Sequence, residues 1–152
     1  MSIHIISITR RPELIPAAAQ WFHSKWQVPE EVYLDSMHEA LWTATGVPAW
    51  YLALNGHDEI VGGLGVIEND FHKRPDLRPN LCAIYVEESC RGQGLARRLL
   101  DTATDALAQQ GIPAAYLITT HTRFYERCGW EFHCMVEEDN GQLVRMYRHT
   151  IQ

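Results

Sequence analysis

A chain of 152 residues with 46% hydrophobic and 21% charged residues can bury one ordinary core, which argues against a disordered polymer and for a single domain over residues 1–152. Its formal net charge of −6 lacks the basic footprint that nucleic-acid binding needs. Its four cysteines, at 82, 90, 128 and 134, fit neither a zinc-ligand spacing nor a small disulfide scaffold. Reduced thiols, the lack of a basic-then-apolar leader and the lack of any apolar run near the ~20 residues that span a bilayer lead us to expect a soluble, cytoplasmic protein, with no membrane or nucleic-acid partner.

In chain order, Ile3–Ile8 reads as a first strand. The segment 11–27 then places Leu14, Ala18, Trp21, Phe22 and Trp26 at helical spacing, with Pro16 in the first turn. Pro29 opens a second helix carrying Val32, Met37, Leu41 and Trp42. Two strands follow, Ala49–Asn55 and Ile60–Asn69. The second contains Gly62, Gly63 and Gly65, which signal either the close approach of another group or dense packing under a bulky neighbour. The polar connection 70–80 is longer than a tight hairpin needs, and long ordered loops are often functional. Leu81–Val86, apolar on both faces, suits a central strand.

After it comes the run "EESCRGQGLARRLL" (87–100), a glycine turn that opens a helix with Leu95, Leu99, Ala103, Ala106 and Leu107 on one face, ended by Gly111 and Pro113. Ala114–Thr119 is a further buried strand, and a strand–helix–strand unit of this length makes a right-handed parallel crossover. A short helix over "TRFYERCG" and a hairpin around the turn "EDNG" close an α/β fold with a mixed sheet.

The chemistry concentrates at Arg91–Ala96. Gly92 and Gly94 permit backbone conformations that side chains block, and the amides of such a loop and of the first helical turn form an anion site. A Walker A run is absent. A dinucleotide GxGxxG would need glycine where Arg97 stands. The acyl-coenzyme A pattern [QR]-x-x-G-x-[GA] is matched by Arg91, Gly94 and Ala96, and a purely structural turn is the competing explanation. About thirty residues on stands "FYERCGWEF" (124–132).

With these two segments and this order of elements, nearly the whole chain resembles the GNAT superfamily of acetyl-CoA-dependent N-acetyltransferases. The resemblance implies a mixed, mostly antiparallel sheet with a splayed parallel strand pair and flanking helices. It also implies acetyl-CoA as co-substrate, with no metal, and a primary amine of a small molecule or peptide as acceptor. By resemblance, Arg91, Gly92, Gln93, Gly94, Leu95 and Ala96 hold the pyrophosphate, and Ile84 and Val86 pair with the pantetheine arm. The amide of Ile84 or Tyr85 faces the thioester oxygen, and Tyr125 protonates the departing thiolate. The segment departs from the family pattern by lacking an asparagine ahead of the Phe-Tyr pair, which leaves Thr122 as the available cap.

Glu68, Asp70 and His121 are the candidate bases, His121 lying four residues before Tyr125 and so on its face of a helix that starts early enough. Glu87 and Glu88 read as solvent-facing. Trp21, Trp26, Trp42 and Trp50 read as core, with one or two rings at the acceptor cleft, where cation–π attraction suits an amine. The eight histidines show no metal-ligand spacing. A non-catalytic acyl-CoA-binding module on the same fold is the alternative function, and a homodimer through the C-terminal hairpin is compatible with the residues.

Overall fold

The computed structural model describes residues 2–151. Its strands are β1 (His4–Ser7), β2 (Ala49–Leu54), β3 (Ile60–Ile67), β4 (Asn80–Val86), β5 (Ala114–Thr119), β6 (Glu131–Glu137) and β7 (Leu143–Thr150). Its helices are α1 (Ile15–Lys25), α2 (Glu30–Ala40), α3 (Leu95–Gln109) and the single turn α4 (Phe124–Arg127). The expected elements all form, with short 3₁₀ turns over Ile8–Arg10 and Pro12–Leu14 between β1 and α1. Pro16 sits at the start of α1, where its missing N–H costs no bond.

One seven-stranded sheet runs in the order β1-β2-β3-β4-β5-β7-β6. All neighbours are antiparallel except β4 and β5, which pair in parallel. That parallel pairing consists of Asn80 against Tyr116 alone, after which the two strands part. The mixed sheet and its splayed pair are therefore as the resemblance implied. α1 and α2 cover one face through Ile8, Ile15, Phe22, Met37, Trp50 and Leu52. α3 covers the other through Leu95, Leu99, Leu100 and Leu107 against Leu64, Leu81, Leu117 and Tyr147.

The strand glycines prove to be packing positions. A Cβ on Gly63 would stand 2.7 Å from the Phe22 ring, and one on Gly65 would meet three Trp50 ring atoms at 2.5 to 2.7 Å. Close packing of Phe22 from α1 and of the Trp50 ring from β2 over β3 thus requires bare backbone there.

The connection 68–79 is ordered because it docks on the β6–β7 hairpin. His72 is buried and bridges to Glu138. Lys73 N donates to Glu137 O at 3.0 Å and Asp139 N to Phe71 O at 2.9 Å. Arg74 N donates to His72 Nδ1, so the ring hydrogen lies on Nε2, which donates to Asn80 Oδ1 at 2.6 Å. Asn80 Nδ2 in turn donates to Leu77 O at 2.7 Å. Leu77 packs on Val136, Val144 and Met146. These bonds anchor the loop at the point where β4 and β5 begin to separate.

Candidate active site

Strand β4 carries a bulge beside the gap. Gly63 opposes Tyr85 and Gly65 opposes Cys82, so the single residue Leu64 faces both Ala83 and Ile84. Ala83 takes a left-handed conformation, with φ +55°, which an L-residue adopts at a cost. Glu87 N donates to Val61 O, so by antiparallel alternation the peptide groups of Val86 and Ile84 point away from β3, toward the splay. Tyr85 belongs to the opposite set, and its ring packs against Trp21 and Trp26.

The run that follows is a short 3₁₀ turn, Glu88–Cys90, then a loop entering α3. Gly92 and Gly94 have φ of +80° and +75°, and nothing lies within 4 Å of where their Cβ atoms would stand. Glycine is therefore required here by conformation and not by crowding. α3 has no side-chain cap, and the backbone amides from Gly92 to Arg97 meet no acceptor among the described residues. Six unpaired donors at the positive end of a fifteen-residue helix form an anion cradle. Arg91 is anchored at its rim, with Nε donating to Val86 O at 2.9 Å and the guanidinium 5.3 Å from the Tyr85 ring centre. Leu95 is buried and Ala96 partly so, which leaves their backbone as the part presented to a ligand.

A cavity of about 450 Å³ opens through the splay. Its walls include Leu81, Cys82, Ala83 and Ile84 of β4, Leu117 to Thr119 of β5, and Trp26, Tyr33 and Trp50 from the α1–α2 side. Since these residues belong to the cores on both faces of the sheet, the opening passes between the strands. Tyr125 lines it from α4. Burial pushes its phenol up to about 12, so it stays protonated, and its hydroxyl makes no hydrogen bond within the described residues. His121 also lines the cavity, but α4 begins at Phe124, so His121 stands in the preceding loop and not on the helix.

Of the two acids at the end of β3, Asp70 reaches the cavity and Glu68 does not. Glu68 is exposed, with Arg78 Nη1 at 3.6 Å. Burial and, secondarily, the charge of Glu138 push the Asp70 carboxyl up to about 6. Burial first and Asp70 second also push the Cys82 thiol well up, which keeps it protonated.

Other expected positions move. Trp42 is 84% exposed and stands off the cavity, whereas Trp26 and Trp50 line it. Glu87 is not free in solvent: Lys25 Nζ lies 2.8 Å from Oε1, and Trp21 Nε1 donates to Oε2. Thr122 does not cap α4, and its carbonyl accepts from the Tyr147 hydroxyl instead. Glu138 and Phe71 line the cavity without having been singled out in the sequence. For Phe71 the one signal was the unusual length of the 70–80 connection, while Glu138 stands in the EDNG turn, which reads only as a hairpin.

The model of the Acetyltransferase (GNAT) family matches residues 15–130. Among solved structures, the chain is similar to an acetyltransferase of the GNAT family from Staphylococcus aureus Mu50. The identity is 18%, the TM-score 0.64, and the match covers 99% of this chain and 100% of that one. It is also similar to an aminoglycoside 6'-N-acetyltransferase complexed with coenzyme A, at 20% identity and TM-score 0.72, covering 100% and 98% of the two chains. A Salmonella typhimurium protein with its cofactor acetyl-CoA matches at 12% identity and TM-score 0.71, covering 100% and 95%. No curated protein sequence matches the chain.

Proposed function

The chain belongs to the GNAT family of acetyltransferases, and on that premise we propose that it moves an acetyl group from acetyl-CoA to a primary amine by direct transfer in the cavity between β4 and β5. The observation that carries this reading is the course of β4: it parts from β5, lines through Ile84 the cavity that also holds Asp70 and Tyr125, and leads at its far end into the unpaired amides of Gly92–Arg97. The donor supplies an activated acyl carbon and a thiolate leaving group.

The residues then divide the work. The cradle binds the pyrophosphate through backbone donors, and Ile84 and Val86 offer the strand edge to the amide-bearing arm. The Ile84 N–H, turned away from β3 beside the bulge, faces the thioester oxygen as it gains charge. Asp70, poised near 6, takes one proton from the incoming ammonium and passes it to solvent. As the C–N bond forms and the C–S bond breaks, Tyr125 gives its phenolic proton to the thiolate. It is reprotonated by the second proton that the nitrogen loses. Cys82, held as the neutral thiol, is a poor nucleophile, which favours direct attack by the amine over an acyl-cysteine route.

The test is amine-dependent release of free thiol from acetyl-CoA, run beside Tyr125→Phe. Release that falls in the variant supports the assignment. Undiminished turnover at saturating substrates removes Tyr125 as the acid.

A further inference from the structure

The wall opposite the β4 edge says what kind of amine fits. Among the described residues the cavity lining holds two carboxylates, Asp70 and Glu138, one imidazole, His121, and neither lysine nor arginine. The basic side chains of the adjoining loop are already engaged outside it: Lys73 with Glu137, Arg74 with Asp76, and Arg78 with Glu68. Lys25 is held by Glu87. A carboxylate or phosphate on the acceptor would therefore face two acids with no lysine or arginine to offset them, whereas an ammonium would be attracted.

The remaining surface is aromatic. Tyr33 and Trp50 form the inner wall, while Trp26 and Phe71 stand 40% and 49% exposed. Phe71 is held there against its own backbone preference, at φ +60°, a conformation rarely tolerated by bulky residues. It persists because the segment is clamped on both sides. Asn69 bonds the His72 backbone twice, at 3.0 Å each, and Asp139 N donates to Phe71 O at 2.9 Å. A half-exposed ring fixed at a cavity wall by a strained and clamped backbone is a built surface for apolar contact.

We infer that the acceptor is a primary amine on an aryl-alkyl body with no anionic group, its ammonium drawn to Asp70 and Glu138 and its body seated against Phe71 and Trp26. This inference rests on the acetyl-transfer reading.

The experiment uses the full chain at saturating acetyl-CoA and reads thiol release. Phenethylamine is set against phenylalanine, and tryptamine against tryptophan, with spermidine and kanamycin alongside. Calorimetry reports acetyl-CoA binding separately. Each amine is expected to exceed its carboxylated partner by about 100-fold or more in kcat/KM, the scale of a desolvated like-charge contact. Phe71→Asn keeps a residue that accepts the left-handed conformation. It is expected to raise the KM for phenethylamine by about 10-fold, more than it lowers kcat, with the acetyl-CoA KM and the melting temperature held or improved. Equal turnover of an amine and its amino acid, or an unchanged KM in Phe71→Asn, overturns the inference. Turnover of spermidine or kanamycin alone also overturns it and leaves acetyl transfer standing. Acetyl-CoA binding without thiol release from any amine overturns both.

Discussion

Replacing Asp70 by Asn should strengthen the fold and weaken the chemistry together. The carboxyl titrates at about 6 in the folded protein against an ordinary 3.8, because burial and the nearby Glu138 disfavour its charge. A raised carboxylate pKa means that the folded state binds the proton more tightly than the unfolded chain. Its contribution favours folding below about pH 4, is lost as pH rises through 6, and is fully lost above that. The gap between 3.8 and about 6 corresponds to about 3 kcal/mol as an upper bound. Asp70→Asn removes the ionisation, so at pH 8 the variant should gain up to that amount, roughly 6 to 12 °C in Tm for a chain of this size. At pH 4 the two proteins should melt together.

The same substitution removes the proposed base. Wild-type kcat/KM should fall about tenfold between pH 7 and pH 5, as Asp70 goes from about 90% to about 10% ionised. The variant should lose about 100-fold at pH 7 and show no acid limb near 6. Thermal melts at both pH values and a pH–rate profile settle the matter. A Tm difference that is the same at pH 4 and pH 8 refutes the burial argument. An acid limb retained near 6 in the variant refutes the assignment of the base.

Tyr125→Phe should lower kcat by about 100-fold while leaving Tm within a degree or two, since the hydroxyl anchors nothing in the fold; circular dichroism melts beside steady-state kinetics check both. Gly94→Ala puts a Cβ on a residue at φ +75°, a penalty of about 1–2 kcal/mol. We expect the cradle to distort and the acetyl-CoA Kd to rise about 10-fold by calorimetry. Gly65→Ala forces a methyl against three Trp50 ring atoms that Phe22, Tyr33 and Ser36 hold in place. It should cost about 1–3 kcal/mol, read as a lower urea midpoint with an unchanged m-value.

Local signals were the legible ones. The glycine loop, the caps and breakers around α3, and the EDNG hairpin depend on residues within a turn of one another, and each formed where the sequence placed it. The loop of unpaired amides at Gly92–Arg97 followed for the same reason. The acceptor side did not, because it is assembled from segments far apart in the chain. Alternation along β3 ends at Ile67, and what turns Asp70 inward and leaves Glu68 with Arg78 is the docking of the 70–80 connection on the β6–β7 hairpin. Trp42 followed the helical spacing of its neighbours, yet α2 stops at Ala40 and its ring stays in solvent. The bulge at Ala83 has no signature in "LCAIYV", since alanine carries no preference for positive φ.

The parting of β4 and β5 has a consequence for hydrogen exchange. The fourth and fifth strands of a seven-stranded sheet ordinarily hold some of the slowest-exchanging amides in a protein. Here the amides of β4 and β5 that face the gap should label at rates typical of sheet margins, although both strands lie deep in the order β1-β2-β3-β4-β5-β7-β6. Any occupant that pairs with the β4 edge would slow them, so labelling in the middle of the sheet becomes a gauge of occupancy that requires no turnover. The sheet carries two margins in its interior, kept from pairing with foreign strands by the α1–α2 layer on one face and α3 on the other.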